Sequence, residues 1–228
     1  MTARTAASFQ SPIAFIGGGN MASAIIGGLV RDGLPAAQIE VVEPFAPARE
    51  KLERQFGIRP MEQAGAALQR AALVVWAVKP QTFRDAAGQA RAHFGAPLHL
   101  SIAAGIRSDS IANWLGTQRI VRSMPNTPAL IGKGITALFA RSGVSAADRT
   151  QVEQVIATTG ESLWVSDETQ LDAVTALSGS GPAYVFFFLE AMTQAGTEMG
   201  LAREQAYRLA VSTFAGAAEL ARASQDPP

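Results

Sequence analysis

Apolar residues run unbroken from Ile13 to Ile16, give way to Gly17, Gly18 and Gly19, and return at Met21, Ile25, Ile26, Leu29 and Val30. A short apolar run followed by three- and four-residue spacing predicts a buried strand, a tight turn and a helix opening at Asn20. The alternation continues along the chain. Strands are predicted at 39–42, 73–78, 98–102, 119–124, 135–139 and 162–165, with helices at 47–56, 64–70, 82–94, 109–115 and 146–159. Apolar strands separated by helices indicate a Rossmann-type, mostly parallel sheet covered on both faces.

Beyond Ser166 the strand rhythm stops, and 171–222 is helical in pattern, broken only near 178–182 and at Gly200. The fold class is therefore α/β, with an all-α C-terminal domain. Residues 1–166 are expected to form the dinucleotide-binding domain and 167–228 a helical one. The run from Tyr184 to Leu189 is apolar all round, so these helices lack the polar face of a solvated pair. Too few residues remain there for a self-sufficient core, and a second copy of the chain is the expected cover; folding back onto the first domain is the alternative.

The turn carries the first chemical signal. Read as G-x-G-x-x-A, Gly17 permits the sharp bend, Gly19 lets backbone approach a pyrophosphate, and Ala22 lets the helix pack closely on the sheet. Free amides at the helix start would face the phosphates. Ligands of open parallel sheets lie beyond the carboxyl ends of the strands. Small residues and prolines gather at those ends, at Ala77, Val78, Lys79 and Pro80, at Ala103 and Ala104, and at 124–128. Lys79 either reaches ribose hydroxyls or phosphate, or is simply solvated. Asn126, between two prolines, either meets a carboxamide or satisfies its own turn. Glu43 stands where a carboxylate binds the ribose 2′-hydroxyl and repels a 2′-phosphate, with Arg49 nearby as partial compensation. The cofactor is accordingly read as NADPH or NADH, with the choice open.

Composition then narrows the alternatives. The 228 residues are 48% hydrophobic and 17% charged, with zero formal net charge and no block of like charge. Neither nucleic acid nor an anionic membrane is an expected partner. Absence of cysteine excludes disulfides and thiolate chemistry. His93 and His99 are read as surface or strand-edge residues, and no metal site is expected. Residues 1–11 hold no apolar core of an export signal, so the cytoplasm is the expected location. The longest apolar stretch, 182–189, falls far short of the roughly 20 residues of a membrane helix.

Taken together, the segments from Phe15 to Ala22, Ala77 to Gln81, Ser101 to Gly105, Arg122 to Pro128 and Asp172 to Tyr184 resemble pyrroline-5-carboxylate reductases in order and spacing. The resemblance spans nearly the whole chain and is most specific in the last segment. It implies reduction of the cyclic imine 1-pyrroline-5-carboxylate to L-proline with NADPH or NADH, the last step of proline biosynthesis. It also implies a C-terminal domain that interlocks two subunits, in a homodimer or a decamer. By the same resemblance, cofactor contacts fall on Ile16, Gly17, Gly18, Gly19, Asn20 and Met21, on Ala77 to Pro80, and on Ile102, Ala103 and Ala104. Substrate contacts, here taken as the catalytic pair, fall on Glu168 and Thr175. Such roles fit the chemistry: an imine carbon accepts hydride best when its nitrogen is protonated, so a carboxylate or hydroxyl at the ring N–H suffices and no nucleophile is required. As plainer readings, Glu168 complements a helix dipole and Thr175 is an ordinary helix residue.

The sequence departs from the resemblance in three places. Glu43 replaces a serine that holds the 2′-phosphate in some relatives, and Ala64 replaces an asparagine on the adenosine side. A Ser/Thr-Pro-Gly-Gly-Thr segment that grips the substrate carboxylate would follow Pro228, and a form ending there is expected to bind cofactor with little reductase activity. Two rivals remain. A β-hydroxyacid dehydrogenase-like enzyme needs a lysine acid/base in its second domain, and no lysine follows Lys133. A non-catalytic dinucleotide-binding module shares the fold without the chemistry.

Overall fold

The computed structural model describes residues 11–224. The first eleven residues, apart from the last of them, and the stretch 225–228 lie outside that range. Seven strands form one sheet: β1 (Ile13–Ile16), β2 (Ile39–Val42), β3 (Leu73–Trp76), β4 (Leu98–Ser101), β5 (Ile120–Met124), β6 (Gly134–Ala140) and β7 (Gly160–Trp164). Their spatial order is β2-β1-β3-β4-β5-β6-β7. The chain moves outward from β1 to β2 and then returns to β1's other side with β3, so the direction of winding switches between β1 and β3. Crevices at such switch points are where open α/β sheets bind ligands.

Helices α1 (Asn20–Arg31), α2 (Ala46–Phe56), α3 (Phe83–Ala90), α4 (Ser108–Leu115) and α5 (Ala146–Ala157) cover the sheet. Alternate strand residues feed two separate cores. Ile13, Phe15, Val41 and Val75 pack with Ile25, Ile26 and Leu29 of α1, Leu52 of α2 and Val152 and Val155 of α5. Ala14, Ile16, Val74 and Trp76 pack instead with Phe83 and Ala87 of α3 and Ile111 of α4. Period-two alternation within fully buried strands produces this split.

The sheet is mostly parallel, as expected, with one reversal, and several element boundaries and one histidine are corrected. β5 and β6 are antiparallel, while β6 and β7 pair in parallel. A crossover helix is missing between β5 and β6; the link holds only Pro125 and a short turn over Thr127–Ile131 that contains Pro128, and so brief a link reverses the chain. The helix expected at 64–70 is a single tighter turn, Ala66–Arg70. The one expected at 82–94 ends at Ala90 and finishes as a tight turn, Arg91–His93. His99 is neither at the surface nor at a sheet edge. It lies buried in β4, where its Nδ1 accepts a 3.1 Å hydrogen bond from Trp76 Nε1. Burial, reinforced by the nearby positive Arg119, lowers its pKa to about 4, so the ring is neutral.

After β7 come α6 (Gln170–Val174) and a wide turn of π type over Thr175–Gly179. Both belong to the first of two units, which runs to Gly179, later than the composition change at Ser166. The second unit holds α7 (Gly181–Glu198) and α8 (Arg203–Ala223). These pack on each other through small residues: Thr193 and Gly196 are buried, as are Ala206 and Ala210, and a Cβ at Gly196 would stand 2.9 Å from that of Ala206. The aromatic run points elsewhere, with Phe186 63% and Phe187 68% exposed. Among the described residues no helix is long and apolar enough to cross a membrane.

Candidate active site

The glycine turn is clamped between neighbouring strand exits. Gly17 has φ of +97°, its N–H donates to the Val42 carbonyl at 2.8 Å, and a Cβ there would lie 2.6 Å from the Ala77 carbonyl oxygen. Only glycine meets both conditions. Gly18 donates its N–H to Glu43 Oε2 at 2.7 Å, and Glu43 Oε1 accepts from the Phe45 N–H at 2.8 Å. Gly19 is different: a Cβ there would meet nothing within 4 Å. It precedes α1 in extended conformation, and no side chain caps the helix. The first amides of α1 are therefore left without a side-chain cap beside an open approach at Gly19, as binding of an anionic group would require.

That space is a cleft of about 440 Å³ at the switch point. Of the expected cofactor residues, Ile16, Gly17, Gly19, Glu43, Ala77, Val78 and Lys79 line it. Asn20 lines a smaller hollow of about 210 Å³ between α1 and α2. Gly18, Met21, Pro80, Ile102, Ala103, Ala104 and Asn126 line neither. Lys79 is exposed, and its carbonyl accepts from Thr82 N–H at 3.0 Å, holding the turn that Pro80 opens. Ile102 donates its N–H to the Trp76 carbonyl at 3.1 Å, which keeps the exits of β3 and β4 side by side. Asn126 Oδ1 accepts from Ile135 N–H at 3.0 Å, so its oxygen closes the β5–β6 reversal.

Glu168 and Thr175 make different kinds of contact. Ser108 donates to Glu168 twice, from its N–H to Oε1 and from its hydroxyl to Oε2, both at 2.6 Å. Oε1 also pairs with the Arg122 guanidinium from within β5. Burial pushes the Glu168 carboxyl up, but the Ser108 hydrogen bonds and Arg122 outweigh it and hold the group below its ordinary value. Glu168 is thus ionised, with both oxygens engaged. Thr175 donates its hydroxyl proton to the Leu171 carbonyl at 2.7 Å, which leaves the oxygen free to accept. Gly179 closes the same turn over Met124 at the exit of β5: a Cβ on Gly179 would reach Met124 Cε at 2.4 Å and Thr175 Cγ2 at 3.7 Å.

Sequence reasoning missed Ser108, Arg122, Glu62 and Asp85. The first two anchor Glu168, and the last two line the cleft. Arg122 gave a signal, as a charge inside a strand that is otherwise nearly apolar. Glu62 and Asp85 gave none.

Residues 168–228 match the family model for pyrroline-5-carboxylate reductase dimerisation, and residues 12–105 match the one described as NADP oxidoreductase, coenzyme F420-dependent. The pyrroline-5-carboxylate reductase of Pseudomonas aeruginosa is 49% identical over 95% of this chain and 80% of its own length. The chain belongs to the pyrroline-5-carboxylate reductase family. Solved members of the family share the fold. The pyrroline-5-carboxylate reductase of Coxiella burnetii superposes with a TM-score of 0.88 at 34% identity, covering 96% of this chain and 82% of that one. That of Plasmodium falciparum, a structure with NADP bound, gives 0.85 at 26% identity over 95% and 80%.

Proposed function

We propose that this chain reduces 1-pyrroline-5-carboxylate to L-proline with NADH or NADPH, the closing step of proline biosynthesis, as a cytoplasmic homodimer. The carrying observation is the open space in front of Gly19 in a chain 49% identical to a pyrroline-5-carboxylate reductase. The clamped turn and the unpaired amides of α1 suit a pyrophosphate, and Glu43 suits ribose hydroxyls. Ala77, a small residue at the exit of β3 that lines the cleft, suits a flat ring.

When bound, the reduced nicotinamide supplies a hydride to the imine carbon. The remaining work falls to the chain. Thr175, its own proton committed to Leu171, accepts from the protonated ring nitrogen and so favours the iminium form that takes up hydride. Glu168 acts at one remove, holding the segment that carries Thr175 against Ser108 and Arg122. Placing donor and acceptor carbons in contact is the main catalytic device. The exposed aromatic run of α7 supports self-association, and assembly of dimers into decamers is an extension of the same reading.

The test is to incubate the purified chain with 1-pyrroline-5-carboxylate and each reduced nucleotide. Nucleotide oxidation should match proline formation mole for mole. Nucleotide binding without proline would leave only the binding module.

A further inference from the structure

We propose that this chain prefers NADH to NADPH, with Glu43 as the residue that sets the choice; the inference rests on the dinucleotide reading above. Glu43, Glu62 and Asp85 all line the cleft at the switch point, against one lining cation, Lys79. A 2′-phosphate would bring about −1.5 to −2 further charge into this space. Glu43 cannot readily turn aside, because Gly18 N–H holds one carboxylate oxygen and Phe45 N–H the other. Each oxygen keeps a further lone pair for a ribose hydroxyl, which donates, whereas a phosphate oxygen cannot.

The obvious counter-charge is already used. Arg49 Nη1 donates to the carbonyls of Glu43 at 2.9 Å and Pro44 at 2.6 Å, while its Nη2 meets Glu62 at 3.5 Å. Its guanidinium thus braces the backbone after β2, is offset by Glu62, and is not among the residues that line the cleft. Ala64, which also lines the cleft, brings no hydrogen-bond donor from its side chain.

Isothermal titration calorimetry with NADH and NADPH on the unaltered protein tests this. NADH is expected to bind about tenfold or more tightly than NADPH, with the gap narrowing as salt is raised. Glu43→Gln should bring the ratio of dissociation constants close to one, mainly by tightening NADPH. Arg49→Ala should leave that ratio unchanged. Equal or tighter NADPH binding by the unaltered protein overturns the inference, as does selective loss of NADPH in Arg49→Ala. Binding of neither nucleotide removes the dinucleotide reading, and this inference with it.

Discussion

Arg122, inside β5, and Glu168, beyond β7, form an ion pair whose side chains are only 5% and 16% exposed. Removing one partner of a buried pair strands the other charge in a poor solvent. Glu168→Leu is therefore expected to cost about 3 kcal/mol, at the lower end of such losses because the carboxylate edge is wet. Urea unfolding measures this. The Glu168 carboxyl titrates lower folded than unfolded, so its stabilisation is present above the ordinary carboxylate range and is lost as pH falls below it. A Glu168→Leu protein should lack that acid-side dependence.

His99 acts in the same direction over a different pH interval. The unfolded ring takes up a proton near 6.5 and the folded one only near 4. Stability should therefore fall as pH drops through that interval, by roughly 3 kcal/mol in total, and this loss should stop growing once the folded ring also titrates. His99→Gln, which keeps an acceptor for Trp76 Nε1, should flatten the interval. An unchanged slope in unfolding free energy between the two pH limits would count against a neutral buried imidazole.

Gly17 and Gly19 should separate folding from ligand binding. Gly17→Ala forces a left-handed backbone on alanine and drives a methyl into the Ala77 carbonyl. A loss of about 2 kcal/mol or more in denaturant unfolding is expected. At Gly19 a methyl meets no protein atom and the backbone is ordinary, so Gly19→Ala should leave stability within about 0.5 kcal/mol. Nucleotide affinity should nevertheless drop at least about tenfold, because the methyl stands where phosphate must approach. Fluorescence titration with reduced nucleotide reads the second effect.

Phe187→Glu should act on assembly alone. The ring is exposed, away from the small residues that join α7 to α8, so helix content should persist. Sedimentation should shift from dimer toward monomer, because a carboxylate in a closed apolar interface goes unpaired. A monomeric unaltered protein would refute self-association through this face.

Much of the nucleotide half was legible because its determinants are local. The strand, the three glycines and the helix from Asn20 lie within one stretch, and the turn's geometry follows from residue types that tolerate few alternatives. Glu43 was found by spacing, although its grip on Gly18 was not. The reversal at β6 was available in principle from the short link holding Pro125 and Pro128. The anchor of Glu168 was not, since pairing with Arg122 and Ser108 depends on how distant segments come together across the sheet. Likewise, Glu62 and Asp85 enter the cleft from loop and helix positions that look solvated in sequence.

The reversed direction of β6 and β7 sets the course of everything after them. Had these strands followed the other five, β7 would have delivered the chain directly to the ligand rim. Instead it leaves heading away, and 165–179 form a return leg that climbs back until Gly179 rests on Met124. The Arg122–Glu168 pair ties the start of that leg to β5 just as Gly179 ties its end to Met124, so both ends of the segment carrying Thr175 are fixed to one strand.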